Sequence, residues 1–338
     1  MDNQALTMST LYLTEQGSKL RKTSKRLVVE KYGTTLLEVP AYGIDRLLIF
    51  GAVQLSTQAI SFLLDSGIEV SFLSMNGRLK GKLTPVQSKN VFLRLAQYDR
   101  YKDDEFKLMI ARSIIEAKLK NQRTLILRYQ RNHPGIDFTS ELDTIDNALS
   151  SLPHKKAISS IMGLEGASTG AYFRCYARML SQNFVFEKRT RHPPLDPVNA
   201  LLSLGYVLIT NEIAALVEAA GFDPFIGFLH GLRYGRQSLP LDLVEEFRHP
   251  VVDGLVQTVI NSGSIKEADF HKENKGAVFL NKDALKRFLS FYEERMEKQF
   301  LYRENDSETC YRKLLRDQVE NMERAVLNGE QYQPFLVR

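Results

Sequence analysis

The pattern of apolar residues changes once along the chain, close to Pro85. From Thr10 to about Leu83, short runs of β-forming residues alternate with turn residues, which is typical of a small β domain. Beyond it, long amphipathic segments indicate helices. A length of 338 residues suits two domains of about 100 to 200 residues each. We predict an α+β protein with two domains: a small N-terminal β-sheet domain, β-sandwich-like, in residues 1–88, and a large all-α domain in residues 89–338.

Capping residues mark the ends of two helices in this plan. Ser56 is placed to cap a helix that interrupts the β domain and ends at Gly67, because a serine side chain can accept a hydrogen bond from the first turn. Asp196 and Pro197 begin a strongly apolar helix that ends at Gly221. We interpret this second helix as a buried, architectural element.

The composition is that of a folded protein from a reducing compartment. Hydrophobic residues make up 43% of the chain and charged residues 25%, which is enough apolar surface to form cores. Cys175 and Cys310 form no Cys-x-x-Cys pair, which argues against a disulfide framework and a thiolate zinc site. No stretch reaches the roughly 18 uninterrupted apolar residues of a membrane span. We expect a cytoplasmic protein with no membrane partner.

A helix with three glycines contains the first candidate for chemistry. The glycines recur at spacings of three and four, at Gly163, Gly166 and Gly170. A glycine costs about 1 kcal/mol in a helix relative to alanine, so we expect another backbone to pack closely against this row. Glu165 lies outside the row, on the same side of the helix as Tyr172. It is either a functional carboxylate or a solvated surface glutamate.

A histidine and an acidic helix form the second candidate. His230 stands in an apolar, glycine-flanked loop; Ser238 then predicts a helix N-cap, and Asp242 precedes the doublet Glu245 and Glu246 by one turn. A lone histidine among apolar residues is more often a hydrogen-bonded core residue than a ligand. Combined with a glutamate and a second carboxylate, it indicates a divalent-metal site, because mixed imidazole and carboxylate ligands suit Mn²⁺ or Mg²⁺.

Such an ion suits phosphoryl transfer. It neutralises charge on the transferring phosphate and holds the attacking and leaving oxygens in line. Other enzyme signatures are missing: the sequence contains no G-x-x-x-x-G-K-[ST], no G-x-G-x-x-G and no H-E-x-x-H. The residues alone therefore favour metal-assisted phosphate chemistry over nucleotide hydrolysis, dinucleotide binding or a zincin-type protease.

Local basic patches are the candidates for contact with a polyanion, since the net charge is only +5. One is a cluster around Arg174, Arg178, Arg189 and Arg191; the other is a helix with Lys118, Lys120, Arg123, Arg128 and Arg131. Both suit phosphate contacts along DNA. Both are equally compatible with an ordinary solvated face, and the two interpretations stay open.

Eight motifs stand out along the chain: Leu27-Val28-Val29-Glu30-Lys31, Phe50-Gly51-Ala52-Val53-Gln54-Leu55-Ser56-Thr57-Gln58-Ala59, Asn76-Gly77-Arg78-Leu79-Lys80-Gly81, Gly163-Leu164-Glu165-Gly166, Pro194-Leu195-Asp196-Pro197-Val198-Asn199-Ala200-Leu201-Leu202, Phe228-Leu229-His230-Gly231, Leu241-Asp242-Leu243-Val244-Glu245-Glu246-Phe247-Arg248 and Val326-Leu327-Asn328-Gly329-Glu330. Together these motifs resemble the CRISPR-associated endonuclease and integrase family that inserts new spacers. They span nearly the whole chain. One departure is His249-Pro250, where the family often has proline directly after the arginine.

The resemblance implies a metal-dependent spacer-acquisition subunit. It implies metal ligands at Glu165, His230 and Glu245, with Asp242 as an assisting candidate and Glu246 as the alternative within the doublet. It also implies a homodimer assembled through the β domain, and a small dimeric adaptor protein clamped by two such dimers into a heterohexamer. The implied substrates are double-stranded DNA, namely captured spacer DNA and the CRISPR repeat.

The implied reaction is transesterification, in which the 3′-hydroxyl of a short DNA attacks a phosphodiester at the edge of a CRISPR repeat. Mn²⁺ or Mg²⁺ would serve as Lewis acid and template. Two rivals stay open at this stage. The first is a general metal-dependent DNA nuclease acting in DNA repair, which uses water as the nucleophile. The second is a non-catalytic DNA-binding scaffold, in which the acidic helix is merely solvated.

Overall fold

The computed structural model describes residues 10–85, 90–191, 193–273, 276–302 and 307–337. The chain divides into two compact units, Met1–Gln87 and Ser88–Arg338. The first is built on β-sheets and the second is mostly helical, so the predicted α+β fold class is confirmed. The predicted boundary between residues 88 and 89 lies outside the described residues.

Two four-stranded sheets form the N-terminal unit. Its elements are β1 (Thr10–Leu13), β2 (Lys19–Thr23), β3 (Arg26–Lys31), β4 (Thr34–Pro40), β5 (Arg46–Phe50), β6 (Gln54–Leu55), α1 (Thr57–Asp65), β7 (Glu69–Leu73) and β8 (Leu79–Leu83). One sheet has the order β1-β5-β7-β8, with β8 antiparallel to its neighbour, and the other has the order β4-β3-β2-β6, with β6 parallel to β2.

One apolar core joins the two sheets. Leu20 and Leu27 from one sheet and Leu47 and Val70 from the other belong to the same buried cluster, because alternate residues of a strand point to the same face. Helix α1 contributes Leu63 to this cluster. The β-sandwich-like prediction is confirmed. The predicted cap is confirmed as well: the Ser56 side chain accepts a hydrogen bond from the Ala59 N–H at 3.2 Å.

Helices dominate the C-terminal unit. They are α2 (Val91–Lys102), α3 (Asp104–Asn132), α4 (Thr139–Ser151), α5 (Ile158–Met179), α6 (Pro197–Ala220), α7 (Ser238–Val244), α8 (Gly254–Asn261), α9 (Lys282–Glu297) and α10 (Tyr311–Asn328). Two short antiparallel hairpins accompany them: β9 (Phe270–Lys272) with β10 (Val278–Leu280), and β11 (Phe300–Tyr302) with β12 (Ser307–Thr309). Helix α3 packs on α4 and α5, and α6 packs on α7 and α10.

Helix α6 is the buried central helix that the sequence predicts. Asp196 caps it by accepting a hydrogen bond from the Asn199 N–H at 2.8 Å, and Gly221 ends it at a φ of 104°, where glycine is favoured. The helix is long and apolar enough to cross a membrane by those criteria alone, but most of it is buried inside the unit. Its apolar character therefore serves the core.

The segment after α7 departs from the expected acidic helix. Helix α7 ends at Val244, and a π-helix from Arg248 to Asp253 leads into α8. Pro250 lies within this π-helix, consistent with a residue that cannot continue ordinary i to i−4 hydrogen bonding. The predicted N-cap at Ser238 is wrong, because α7 begins at that residue and its hydroxyl donates to the Gly231 carbonyl at 3.3 Å.

Candidate active site

A buried lysine joins two of the predicted ligands. The ammonium of Lys118, on α3, contacts Oε1 of Glu165 on α5 and lies 2.6 Å from Oε2 of Glu245, just after α7. The Lys118 side chain is 5% exposed and the Glu165 side chain 16%. Glu165 is therefore not the solvated surface glutamate that the sequence left open. Three elements distant in sequence bring two carboxylates to one cation.

The site stabilises both glutamates as carboxylates. Burial raises the pKa of Glu165, but the nearby Lys118 ammonium outweighs it, so the pKa lies below the ordinary value. Burial likewise raises the pKa of Glu245, but Arg248 and Lys118 outweigh it and hold the pKa well below its usual range. Opposite charges within a few ångströms favour the ionised form. Both glutamates are therefore charged at neutral pH.

A buried aspartate orients His230. The Asp242 carboxylate is 2.8 Å from Nδ1 of His230 and accepts the backbone N–H groups of Phe228, Leu229 and His230. Gly227 makes this loop possible, since a Cβ there would lie 2.7 Å from Asp242 Oδ2. With Nδ1 held by a carboxylate, Nε2 is the ring nitrogen that remains to face a ligand or substrate. Asp242, an assisting candidate in the sequence analysis, is thus the partner of the Nδ1 atom of His230.

Arg248 and a tyrosine support Glu245 from behind. Arg248 donates to Glu245 Oε1 at 2.6 Å, and its guanidinium lies over the Tyr206 ring at 4.4 Å. The Tyr206 hydroxyl donates to Asp253, which also accepts the Tyr172 hydroxyl at 2.9 Å. This buried network links α5, α6 and the π-helix. It fixes the arginine, and through it one oxygen of Glu245.

The second member of the acidic doublet has a different environment. Glu246 is fully buried and accepts the Tyr332 hydroxyl and the Phe335 N–H, the latter at 2.6 Å. Burial raises its pKa to about 8. The structure brings Glu245, and not Glu246, to Lys118 and Glu165.

The cation between the two carboxylates is a lysine ammonium, and the described side chains do not form a complete set of metal ligands. Among the described residues, no three His, Cys, Asp or Glu side chains converge in an arrangement ready for a metal ion. Lys118 lies between Glu165 and Glu245 instead. The donors nevertheless suit a hard divalent cation: Glu245 Oε2 is buried, and its partner among the described residues is the Lys118 ammonium at 2.6 Å. Carboxylate oxygens with an imidazole nitrogen are a donor set for Mn²⁺ or Mg²⁺.

The glycine row of α5 does not contact another backbone. A Cβ at Gly163 or Gly166 would meet nothing within 4 Å, and one at Gly170 would meet only the Arg174 side chain, at 3.8 Å. The prediction of close packing there is wrong. The row lies on the exposed side of the helix, where none of the described elements of the unit covers it. The surface next to Glu165 is therefore open to an external partner.

The predicted arginine cluster mixes structural and exposed side chains. Arg189 donates to Asn199 Oδ1 at 2.7 Å and to Ser203 Oγ at 3.0 Å, so it ties its loop to α6. Arg178 lies over the Phe138 ring, and Arg174 is 3.7 Å from a Glu141 oxygen and largely exposed. Arg191 is exposed. Arg174 and Arg191 are thus exposed members of this cluster.

The predicted basic helix loses one of its five named members from its outer face, because Lys118 is buried. Lys118 points into the site and not onto the outer face of α3. Arg123 lies on that face, where it contacts Asp146 at 2.7 Å. Ion pairs on an exposed face contribute little to stability, so Arg123 stays available to a phosphate.

Sequence reasoning missed the contacts of Lys118 with Glu165 and Glu245 and the support of Glu245 by Arg248. One signal for Lys118 was available: it lies four residues after Ile114 and seven after Ala111, both fully buried, so it falls on the apolar face of α3. A lysine is seldom buried unless it is paired. No comparable local signal marks the support of Arg248 by Tyr206 and Asp253, because these residues meet only in the folded chain.

Solved structures with the same fold place this chain in the class of Cas1-like proteins. The chain matches a Cas1 protein from Thermotoga maritima with a TM-score of 0.82 and 26% identity, covering 98% of this chain and 100% of the other. It also has the fold of a casposase bound to integration product, with a TM-score of 0.86 and 24% identity, covering 97% of this chain and 93% of the casposase chain.

The chain belongs to the Cas1 family of CRISPR-associated proteins. The family model for CRISPR associated protein Cas1 matches residues 11–294. The CRISPR-associated endonuclease Cas1 2 of Rhodospirillum rubrum is 35% identical over 304 residues, which cover 86% of this chain and 87% of the relative. The resemblance predicted from the motifs is confirmed, and the protein is a CRISPR-associated endonuclease.

Proposed function

We propose that this protein is the integrase of CRISPR spacer acquisition, joining the 3′-hydroxyl ends of short captured DNA to the CRISPR repeat by transesterification. The observation that carries the proposal is the pair of ionised glutamates, Glu165 and Glu245, which share one buried cation. The same helical unit contains His230, whose Nδ1 is held by Asp242, so that Nε2 is the nitrogen left for a metal ion. These residue types are those needed to bind a divalent cation and a phosphodiester.

Glu165, His230 and Glu245 would hold the metal, as Mn²⁺ or Mg²⁺. The ion would act as a Lewis acid on the phosphate and as a template for the attacking and leaving oxygens. The carboxylates do not need to act as bases: their pKa values lie below the ordinary value, so they are weak proton acceptors and stay available as metal ligands. Asp242 would keep the proton of His230 on Nδ1 and leave Nε2 as the coordinating atom.

The protein residues around these ligands position and expose the site. Arg248 holds Glu245 Oε1, while Thr169 donates to Glu165 Oε1 at 2.9 Å. Both carboxylates are thus fixed before a substrate binds, which lowers the cost of assembling the reactive geometry. The uncovered glycine row beside Glu165 leaves space for a DNA backbone to approach.

The proposed partners are double-stranded DNA, a second copy of the chain and a small dimeric adaptor protein. Captured spacer DNA and the CRISPR repeat would be the two substrates, and two homodimers would clamp the adaptor into a heterohexamer. The N-terminal unit would form the homodimer. Strand β4 supports this, because it lies at the edge of its sheet and exposes Leu36 and Leu37. Exposed apolar residues on an edge strand favour pairing with another chain.

The test is strand transfer of a short 3′-hydroxyl duplex into supercoiled DNA with a CRISPR repeat, with adaptor and Mn²⁺ present. We would compare the wild type with Glu165→Gln and His230→Ala. The matched control is Glu116→Gln on the exposed side of α3, where that glutamate contacts Lys120. The proposal expects joined product in the wild type and control and none in the two site variants, all folded.

Other outcomes identify the rival functions. Cleavage without joining would favour a general nuclease that uses water. Equal joining by the site variants would refute the assignment of Glu165 and His230. DNA binding that needs no metal, with no strand chemistry in any variant, would favour the scaffold interpretation.

A further inference from the structure

The position of Lys118 suggests a role beyond charge balance, and the inference rests on the proposed function. Lysine is costly to bury, yet Lys118 is 4% exposed and its ammonium lies against two carboxylates. These are the same carboxylates that the proposed function gives to a metal ion. The Lys118 ammonium and the proposed metal ion would therefore occupy the same position.

The other contacts of the two glutamates leave that position for one cation at a time. Arg248 holds Glu245 Oε1, and Oε2 faces Lys118. Thr169 and Lys118 both donate to Glu165 Oε1. A divalent cation of this class binds carboxylate oxygens directly, at about 2.0 to 2.2 Å for Mg²⁺. Since like charges repel strongly at such distances, the ammonium and the ion compete for the same two oxygens.

We propose that Lys118 is a built-in counter-ion that is exchanged for the metal. Before the metal arrives, its ammonium prevents Glu165 and Glu245 from repelling each other and keeps the site assembled. When the metal binds, the ammonium leaves the two carboxylates, which a flexible four-carbon stem permits. The freed ammonium would stay at the edge of the site, where a DNA phosphate is a suitable partner.

The exchange has a cost that can be measured. Every metal ion that enters must displace the ammonium from two ion pairs, so Lys118 weakens the affinity for metal while it stabilises the metal-free site. A permanent structural ion pair would behave differently, because metal binding would then leave Lys118 in place. Metal affinity separates the two roles without any measurement of catalysis.

The first experiment measures Mn²⁺ binding to the full chain without DNA, by the electron paramagnetic resonance signal of free Mn²⁺. Lys118→Met removes the ammonium and keeps most of the stem. Lys120→Met is the matched control: it lies two residues further on the same helix, and its ammonium contacts Glu116 at the exposed surface. We expect Lys118→Met to lower the dissociation constant by about tenfold and Lys120→Met to leave it unchanged. An unchanged or higher dissociation constant in Lys118→Met would overturn the exchange.

Glu165→Gln distinguishes failure of this inference from failure of the proposed function. If the wild type binds Mn²⁺ and Glu165→Gln does not, the ion measured is bound at this site and the Lys118 comparison decides the exchange. If Glu165→Gln binds Mn²⁺ as tightly as the wild type, or the wild type binds none, the proposed metal site is itself wrong and the exchange is overturned with it.

A measurement on the wild type covers the case in which Lys118→Met does not fold. Acylation of lysine amines by an N-hydroxysuccinimide ester, read by mass spectrometry, reports whether the Lys118 ammonium is accessible. We expect Lys118 to be protected without metal and its labelling to increase several-fold with saturating Mn²⁺, while the labelling of Lys120 stays constant. Equal protection of Lys118 with and without Mn²⁺ would contradict the exchange.

Discussion

Glu245 and Glu246 are neighbours in the chain with opposite surroundings. Glu245 contacts two cations, Lys118 and Arg248, and its pKa lies well below the usual range. Glu246 accepts hydrogen bonds from the neutral Tyr332 hydroxyl and Phe335 N–H, and burial raises its pKa to about 8. One glutamate is thus prepared to bind a cation, while the other anchors the C-terminal segment.

Helix α3 contributes one side chain to the surroundings of each glutamate. Lys118 reaches Glu245, and Asn121, one turn later, donates to the carbonyls of Glu246 and Phe335 at 2.8 and 3.1 Å. Asn121 also accepts the Val337 N–H at 2.9 Å. The C-terminal segment is therefore bound to the back of the loop that presents Glu245. The comparison shows that two adjacent carboxylates can have different roles: Glu245 faces the candidate metal site, and Glu246 holds the C-terminal segment in place.

The largest expected effect is on chemistry at Glu245. Glu245→Gln removes one charge from the proposed metal site, so we expect strand transfer to fall on the order of 10³-fold, which corresponds to about 4 kcal/mol of transition-state stabilisation. Glu246→Gln is the matched control, and its joining rate should stay within a few-fold of wild type. Strand-transfer rates at saturating Mn²⁺ provide the measurement, and equal losses in the two variants would remove the functional distinction between them.

The next effect is on stability at Glu246. Glu246→Ala leaves the buried Tyr332 hydroxyl and Phe335 N–H without their acceptor, and a buried unsatisfied group costs about 1 to 3 kcal/mol. We expect the free energy of unfolding to fall by about 3 kcal/mol in urea titration. Glu116→Ala, at an exposed ion pair, is the control and should change little. A loss as small as that of the control would show that the C-terminal segment is held by other contacts.

The raised pKa of Glu246 predicts a pH dependence of stability. Its ordinary pKa is 4.5 and its folded value is about 8, so between these limits the folded chain keeps a proton that the unfolded chain releases. Stability therefore falls as pH rises through this window, by at most about 1.4 kcal/mol between pH 6 and 7. Glu246→Gln removes the titrating group, and its stability should fall less with pH than that of the wild type. If the free energies of unfolding of the wild type and Glu246→Gln changed with pH in parallel, Glu246 would not be the source of the pH dependence.

The sequence predicts local features of this protein better than non-local ones. The cap at Asp196 and the short β-forming runs between Thr10 and Leu83 depend on neighbouring residues, and these predictions are confirmed, for example by strands β5 and β7. The N-cap at Ser238 failed because a tertiary contact, the Gly231 carbonyl, takes its hydroxyl. The glycine row of α5 failed for a related reason: whether a second backbone covers a small-residue face depends on an element that the pattern does not contain.

The candidate site shows the same difference between local features, which the sequence predicts, and non-local ones, which it does not. The acidic doublet indicates that a carboxylate is presented after α7, but the choice between its members depends on distant residues. Lys118 precedes Glu245 by more than one hundred positions, and Tyr332 follows Glu246 by 86. Only the motif resemblance selected Glu245, and that assignment stays a prediction until it is tested. The order of strands in the two sheets is equally non-local, and nothing in the alternation of residues specifies it.

The smallest expected effect is that of Tyr332→Phe, which tests whether the surroundings of Glu245 and Glu246 are independent. Tyr332→Phe removes one hydroxyl from the Glu246 side and leaves the ring packed in the core. We expect a loss of about 1 kcal/mol in the free energy of unfolding, the net value of one buried hydrogen bond, and no change in the dissociation constant for Mn²⁺. Urea unfolding and Mn²⁺ titration of the same preparation measure both. Weaker Mn²⁺ binding in Tyr332→Phe would mean that the C-terminal segment positions Glu245 as well, and that the two glutamates form one coupled site.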